Sequence, residues 1–113
     1  MNIENSIADL ATDFKQSRKL LVAIGDENRI HMIIEMMQMG KCDGVRVGEI
    51  TERTNLSRPA VSHHLQILKD AGILAVRKEG TKNYYYFDSN LESMKQLIET
   101  LNKAVDIASI AHK

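Results

Sequence analysis

The sequence predicts a mainly α-helical domain with one small β-hairpin, and three observations carry that expectation. Apolar residues recur at alternating intervals of four and three near both ends of the chain, the spacing of one helix face. Two β-prone runs flank a Gly-containing turn around position 80. One proline and six glycines in 113 residues are too few for a turn-rich all-β fold or a disordered chain. With 43% hydrophobic and 27% charged residues, the chain should form one domain with one modest core, burying roughly two-thirds of its unfolded surface.

Ile3, Ile7, Leu10, Phe14, Ser17, Leu21 and Ile24 form the first seam, interrupted by Ser17 and stopped at Gly25, so residues 1–24 are expected to be one helix. Asp26 can cap a second helix with apolar positions Ile30, Ile33, Ile34 and Met37, ending at Gly40. Met32, Met36, Met37 and Met39 suit adaptable core packing better than a thioether metal site. Lys41 to Arg46 reads as a loop turning at Asp43-Gly44. A short helix from Val47 turns Val47 and Ile50 inward, and Asn55 can take a left-handed conformation in the tight connection Thr54-Asn55-Leu56-Ser57. Ser57 is a good N-cap, and Pro59 sits in the first turn, where its missing N–H costs nothing. Val61, Leu65 and Leu68 then share one inward face of a helix ended by Ala71-Gly72. Ile73–Lys78 and Asn83–Phe87 pair as a hairpin through Glu79-Gly80-Thr81-Lys82. Ser89-Asn90-Leu91-Glu92 matches a capping box and opens a last helix with Leu91, Met94, Ile98, Leu101, Val105, Ala108 and His112 on one seam.

This order is that of a winged helix-turn-helix: the helix-turn-helix at 47–71, the wing at 73–87, and terminal helices at 1–24 and 90–111. Neither terminal helix is long enough to be stable alone in water. Ile3, Ile7, Leu10 and Phe14, with Leu91, Met94, Ile98, Leu101 and Val105, are therefore expected to form a dimer interface.

Charge is divided unevenly. The chain has 15 basic and 15 acidic residues, but residues 1–52 carry 6 basic against 9 acidic and residues 88–113 carry 3 against 4. Residues 53–87 carry 6 basic side chains, Arg53, Arg58, Lys69, Arg77, Lys78 and Lys82, against Asp70 and Glu79. A basic centre between acidic flanks can hold a polyanion while the total stays neutral. A single cysteine excludes an internal disulfide and suits a reducing, cytoplasmic setting. The apolar runs fall far short of the ~20 residues of a membrane helix, and Met1-Asn2-Ile3-Glu4-Asn5 lacks the layout of a secretory signal. No Gly-rich phosphate loop, nucleophile elbow or carboxylate pair suggests an enzyme.

Opposite the Val61-Leu65-Leu68 face lie Pro59, Ser62, His63 and Gln66, with Ser57 and Arg58 at the helix start. Such a face can read the major groove: arginine pairs with guanine, glutamine with adenine, and serine with base or phosphate. On the wing, Arg77, Lys78 and Lys82 can meet phosphates, as can one of the alternating tyrosines, with Tyr84 the candidate. His64 lies near the inward face and reads as a packed, hydrogen-bonded histidine.

The run Leu56-Ser57-Arg58-Pro59-Ala60-Val61-Ser62-His63-His64-Leu65-Gln66-Ile67-Leu68-Lys69-Asp70-Ala71-Gly72-Ile73-Leu74 resembles the signature of ArsR/SmtB-type winged-helix transcriptional repressors. Arg77 to Tyr86 and Asp26-Glu27-Asn28-Arg29-Ile30 are similar to theirs too, so the resemblance covers roughly residues 20–87. It implies a repressor that binds double-stranded DNA as a homodimer at an inverted repeat and is released by an effector. Ser57, Arg58, Pro59, Ser62 and His63 would then face bases or phosphates, and the wing would follow the backbone into the minor groove.

Many members of that family bind metals, but this chain departs from their ligand sets. Arg46 and Gly48 stand where a Cys-x-Cys pair would be, and Ser89, Leu91, Asn102 and Val105 where a second set would lie. No metal and no cofactor is therefore expected, although a non-standard site across a dimer, from Cys42, His31 or His112, stays open. Redox-sensing relatives generally pair two cysteines, whereas Cys42 alone could form only an intersubunit bridge or a sulfenic acid. A small organic effector and a protein antagonist both remain, as does a protein-interaction module that does not touch DNA.

Overall fold

Residues 2–111 are described by the structure, a computed structural model. They run in the order α1 (Ile3–Gln16), α2 (Arg18–Ile24), α3 (Glu27–Met39), α4 (Val47–Thr54), α5 (Arg58–Asp70), β1 (Leu74–Glu79), β2 (Lys82–Phe87) and α6 (Glu92–Ala111). Leu20 and Ala23 of α2, Met32 and Met36 of α3, Ile50 of α4, and Val61, Leu65 and Leu68 of α5 meet in one core, closed by Ile73, Leu74 and Leu97.

The single helix expected at 1–24 is two. The chain turns at Ser17 (φ −91°, ψ 8°), whose N–H is shared between the carbonyls of Asp13 and Phe14 at 3.2 and 3.1 Å. The two halves serve different neighbours: α1 lies along α6, where Lys103 donates to Asp13 Oδ2 at 3.0 Å, while α2 drives Leu20 and Ala23 into the core. A straight helix could not aim both faces correctly, and the one polar residue of the seam is where it breaks.

Asp26 caps α3 by accepting from the Arg29 N–H at 3.1 Å, and Gly40 ends it in the left-handed region at φ 63°. The buried face is the expected one only in part: Met32 and Met36 pack in the core, with Ile33 and Met39 against it, but three of the expected apolar positions do not. Arg29, Met32 and Met36 face inward, while Ile30, Ile34 and Met37 are 43, 46 and 59% exposed. Apolar residues nearly surround this helix, so its pattern does not define an orientation. The Arg29 guanidinium does, by donating to the carbonyls of Ala23 and Val22 at 2.7 and 2.9 Å and so closing the C-terminus of α2.

The loop expected at 41–46 contains a β-bridge. Val45 is 2% exposed and exchanges two 2.8 Å backbone hydrogen bonds with Tyr85 of β2. Thus the hairpin, in register Leu74↔Phe87 through Glu79↔Lys82, is tied to the strand-like segment before α4.

The start of α6 also differs. In place of a Ser89 cap, Asp88 orders the turn before the helix, its carboxylate accepting from the N–H groups of Asn90 and Leu91 at 2.9 and 3.3 Å. Leu91 stands at φ 49° just before the helix. Asp88 is itself fixed by a 3.0 Å bond from its N–H to the Ile73 carbonyl, which aims its carboxylate at this turn. Along α6, Leu97 and Thr100 are buried, whereas Ile98, Leu101 and Val105 are exposed, as are Ile3 and Ile7 on α1. Leu10, Phe14, Leu91 and Met94, from the same expected seams, are half-buried. His112 lies outside the described residues.

Candidate nucleic-acid interface

Helix α5 is presented to solvent by a short chain of local causes. Asn55 ends α4 in the left-handed region at φ 57°, which reverses the chain for a tight turn. Ser57 Oγ then accepts the Ala60 N–H at 3.2 Å, with Pro59 in the first turn. Val61, Leu65 and Leu68 are fully buried, so the opposite face is outward. Ser57, Arg58, Pro59, Ser62, His63 and Gln66 are all exposed, and the structure brings these six together on one side. Gln66 is partly committed, since its Nε2 donates to Asp70 Oδ1 at 2.9 Å. Arg58 leans over α4, with Nη1 3.9 Å from where a Cβ on Gly48 would lie.

His64 points the other way, as its position predicts. Its Nδ1 lies 3.2 Å from Arg29 Nη1. Burial is the main cause that pushes its pKa below 6.5; Arg29 and His63 act in the same direction and Asp26 opposes them. A neutral imidazole thus joins the reading helix to the guanidinium that closes α2.

On the wing, Lys78 and Lys82 are exposed at the tip. Neither they nor Arg58 has an ion-pair partner among the described residues. Arg77 is less free: its guanidinium stacks 4.7 Å from the Tyr84 ring centroid, with Nε 3.5 Å from Glu79 Oε1. The same ring faces Arg46 at 5.6 Å, so Tyr84 gathers two cations midway along the wing. Sequence reading missed Arg46 as a member of this group. Its N–H is held by Glu49 Oε2 at 2.8 Å. That bond, followed by the Lys41 side chain, lowers the Glu49 pKa. The available signal was Arg46-x-x-Glu49, a reciprocal pattern at a helix start, in which the N-cap N–H bonds back to the N3 carboxylate.

Among the described residues no cluster of three His, Cys, Asp or Glu side chains could hold a metal ion, and Cys42 is an exposed free thiol. Arg46 and Gly48 offer a guanidinium and a bare backbone where thiolates would be needed. Neither supplies a thiolate, imidazole or carboxylate donor at that place.

The sequence pattern of bacterial regulatory proteins of the arsR family matches residues 26–76. An uncharacterized HTH-type transcriptional regulator of Methanocaldococcus jannaschii is 33% identical over 89 residues, covering 78% of this chain and 97% of the relative. The transcriptional repressor SdpR of Bacillus subtilis is 31% identical over 83 residues, covering 72% and 88%. Among solved structures, the homodimeric winged helix-turn-helix DNA-binding domain Mb0332 of Mycobacterium bovis superposes with a TM-score of 0.61 at 22% identity, over 81% of this chain and 82% of that one.

Proposed function

Because this chain belongs to the arsR family of bacterial regulatory proteins, we propose that it binds an inverted-repeat operator as a homodimer and leaves it when an effector binds. It is a transcriptional regulator with a winged helix-turn-helix DNA-binding fold, not an enzyme. No helix among the described residues is long and apolar enough to cross a membrane.

In this reading α5 enters the major groove. Arg58, Ser62, His63 and Gln66 read bases, while Ser57 and Pro59 set the helix start against the backbone. Arg77, Lys78, Lys82 and Tyr84 of the wing meet phosphates, and Arg46 joins them. The observation that carries the reading is the capped α5 with its outward polar face, beside Arg58, Lys78 and Lys82, none of which has an ion-pair partner among the described residues. Residues 1–24 and 90–111 form the dimer interface, 47–71 the helix-turn-helix and 73–87 the wing. The family's metal sites play no part, because their donor atoms are missing.

Selection of bound duplexes from a random DNA pool tests the proposal. Enrichment of an inverted repeat with half-sites about one turn apart, ~34 Å, is expected. A pool that stays random after repeated rounds would reject it in favour of a protein-interaction module.

A further inference from the structure

A groove of about 540 Å³ opens between the α1–α2 junction and the second half of α5. Lys15 of α1 and Arg18 and Lys19 of α2 line it, together with apolar surface from Val22 and Ile67 and the carboxylate of Asp70. All three cations are exposed, and none has an ion-pair partner among the described residues. The one anion already accepts a 2.9 Å hydrogen bond from Gln66. Val22 is 57% exposed, high for a valine on a helix that otherwise feeds the core.

These features belong together chemically. Residues 1–52 carry more acidic than basic side chains, yet three adjacent cations here repel one another around an apolar recess. An anionic head group would relieve that repulsion, and an apolar body would displace water from Val22 and Ile67. The volume lies within the ~300–1,000 Å³ usual for small-molecule sites. We propose that this groove is the effector site, and that it takes a small organic carboxylate with an aliphatic or aromatic body.

Its place in the fold explains how such a ligand acts. The occupant touches α5 through Ile67 and Asp70, and it touches both sides of the Ser17 turn that leads α1 toward α6. It therefore biases the angle at which the reading helix stands relative to the terminal helix. A ligand preferring one angle shifts operator affinity by its differential affinity for the two states, and operator DNA shifts ligand affinity by the same factor. The effector role rests on the DNA-binding reading above; ligand binding to the groove does not.

Decanoate is the probe, with decanol and decylamine as neutral and cationic counterparts, titrated into the full chain without DNA by calorimetry and heteronuclear NMR. Decanoate is expected to bind and to shift the Val22 and Ile67 signals, with decanol at least about tenfold weaker and decylamine silent. Arg18→Ser with Lys19→Ser, and separately Val22→Asp, should each weaken decanoate about tenfold at unchanged helix content, a loss within the range for removing two ionic contacts or one apolar one. Equal binding of decanol, unchanged affinity in both variants, or shifts confined to residues 3–10 and 98–110 would overturn the site. So would a double variant that keeps decanoate but binds DNA more weakly with a flatter salt dependence, since its cations would then serve phosphates. Decanoate binding by a chain that selects no DNA supports the anion site and overturns the effector role alone.

Discussion

Around Arg29, one guanidinium donates to the carbonyls of Val22 and Ala23 and approaches Nδ1 of His64 on the reading helix at 3.2 Å. Arginine can only donate, so His64 accepts at Nδ1 and carries its proton on Nε2. Burial first, then Arg29 and His63, lower its pKa from 6.5. The unfolded chain therefore binds this proton more readily than the folded one. The contribution to stability is complete above the unfolded value and is lost as pH falls through 6.5. Denaturation midpoints measured from about pH 7.5 down to about 5.5 should decline, and His64→Gln should flatten that decline; a wild-type profile with no slope there would contradict the lowered pKa of His64. At the outward face the single-residue test is specificity. Arg58→Ala should cost about 1–3 kcal/mol on the selected operator and little on scrambled duplex. Lys78→Ala or Lys82→Ala should weaken both duplexes alike and flatten the salt dependence by about one unit. Binding of each variant to both duplexes across a salt series decides the matter. Wing changes that alter sequence preference while Arg58→Ala does not would reverse the roles of helix and wing.

Among the elements, the wing depends on a glycine outside it. Gly44 has φ 111°, and a Cβ there would stand 2.9 Å from the Tyr84 Cβ, just before Val45 bridges to Tyr85. Gly44→Ala should therefore cost about 2–3 kcal/mol from backbone strain and overpacking together, read from thermal or urea denaturation. Gly80, at φ 62° with nothing near its missing Cβ, provides the comparison, and Gly80→Ala should cost only about 1–2 kcal/mol. Equal losses would mean that the approach to Tyr84 does not matter. The same contrast shows which elements were legible in the sequence. Helix α5 was, because cap, proline, periodicity and terminal glycine all agree within one stretch of chain. The bridge at Val45 was not, since one β-branched residue between Gly44 and Arg46 carries no periodicity and its partner is 40 positions away. The turn at Ser17 and the rotation of α3 were hidden for a related reason. Both are decided by what distant helices require of Leu20, Ala23 and Arg29. Six outward residues of the proposed reading helix could be named from the sequence. Arg46 could not, because only the fold brings it to Tyr84.

For the molecule as a whole, shape and donor chemistry lead to two expectations. No group of three or more His, Cys, Asp or Glu side chains among the described residues is placed to hold a metal ion, so zinc, cadmium, arsenite and nickel should leave operator binding unchanged and chelators should leave folding intact. Stoichiometric metal binding with operator release, measured by titration, would redirect attention to a shared site. The second expectation concerns assembly. The radius of gyration is 17.2 Å and the extents are 54 × 25 × 22 Å, whereas a compact domain of this length would have a radius near 13 Å. The excess comes from α1 and α6, which run beyond the core as a pair joined by Lys103 and Asp13. That pair leaves Ile3, Ile7, Ile98, Leu101, Val105 and Ile110 between 38 and 64% exposed. Helices with so much exposed apolar surface are stabilised by a second copy, and two-fold symmetry brings the same faces together. Sedimentation should therefore find a dimer at micromolar concentration. Leu101→Glu with Val105→Glu would place four like charges across the symmetric contact and give a folded monomer. On a single half-site that monomer should match the wild type, because α5 and the wing are untouched. On the full inverted repeat it should lose the gain from joining two half-sites, about 10²–10⁴-fold. A variant that sediments as a dimer, or binds the full repeat unimpaired, would place the interface elsewhere.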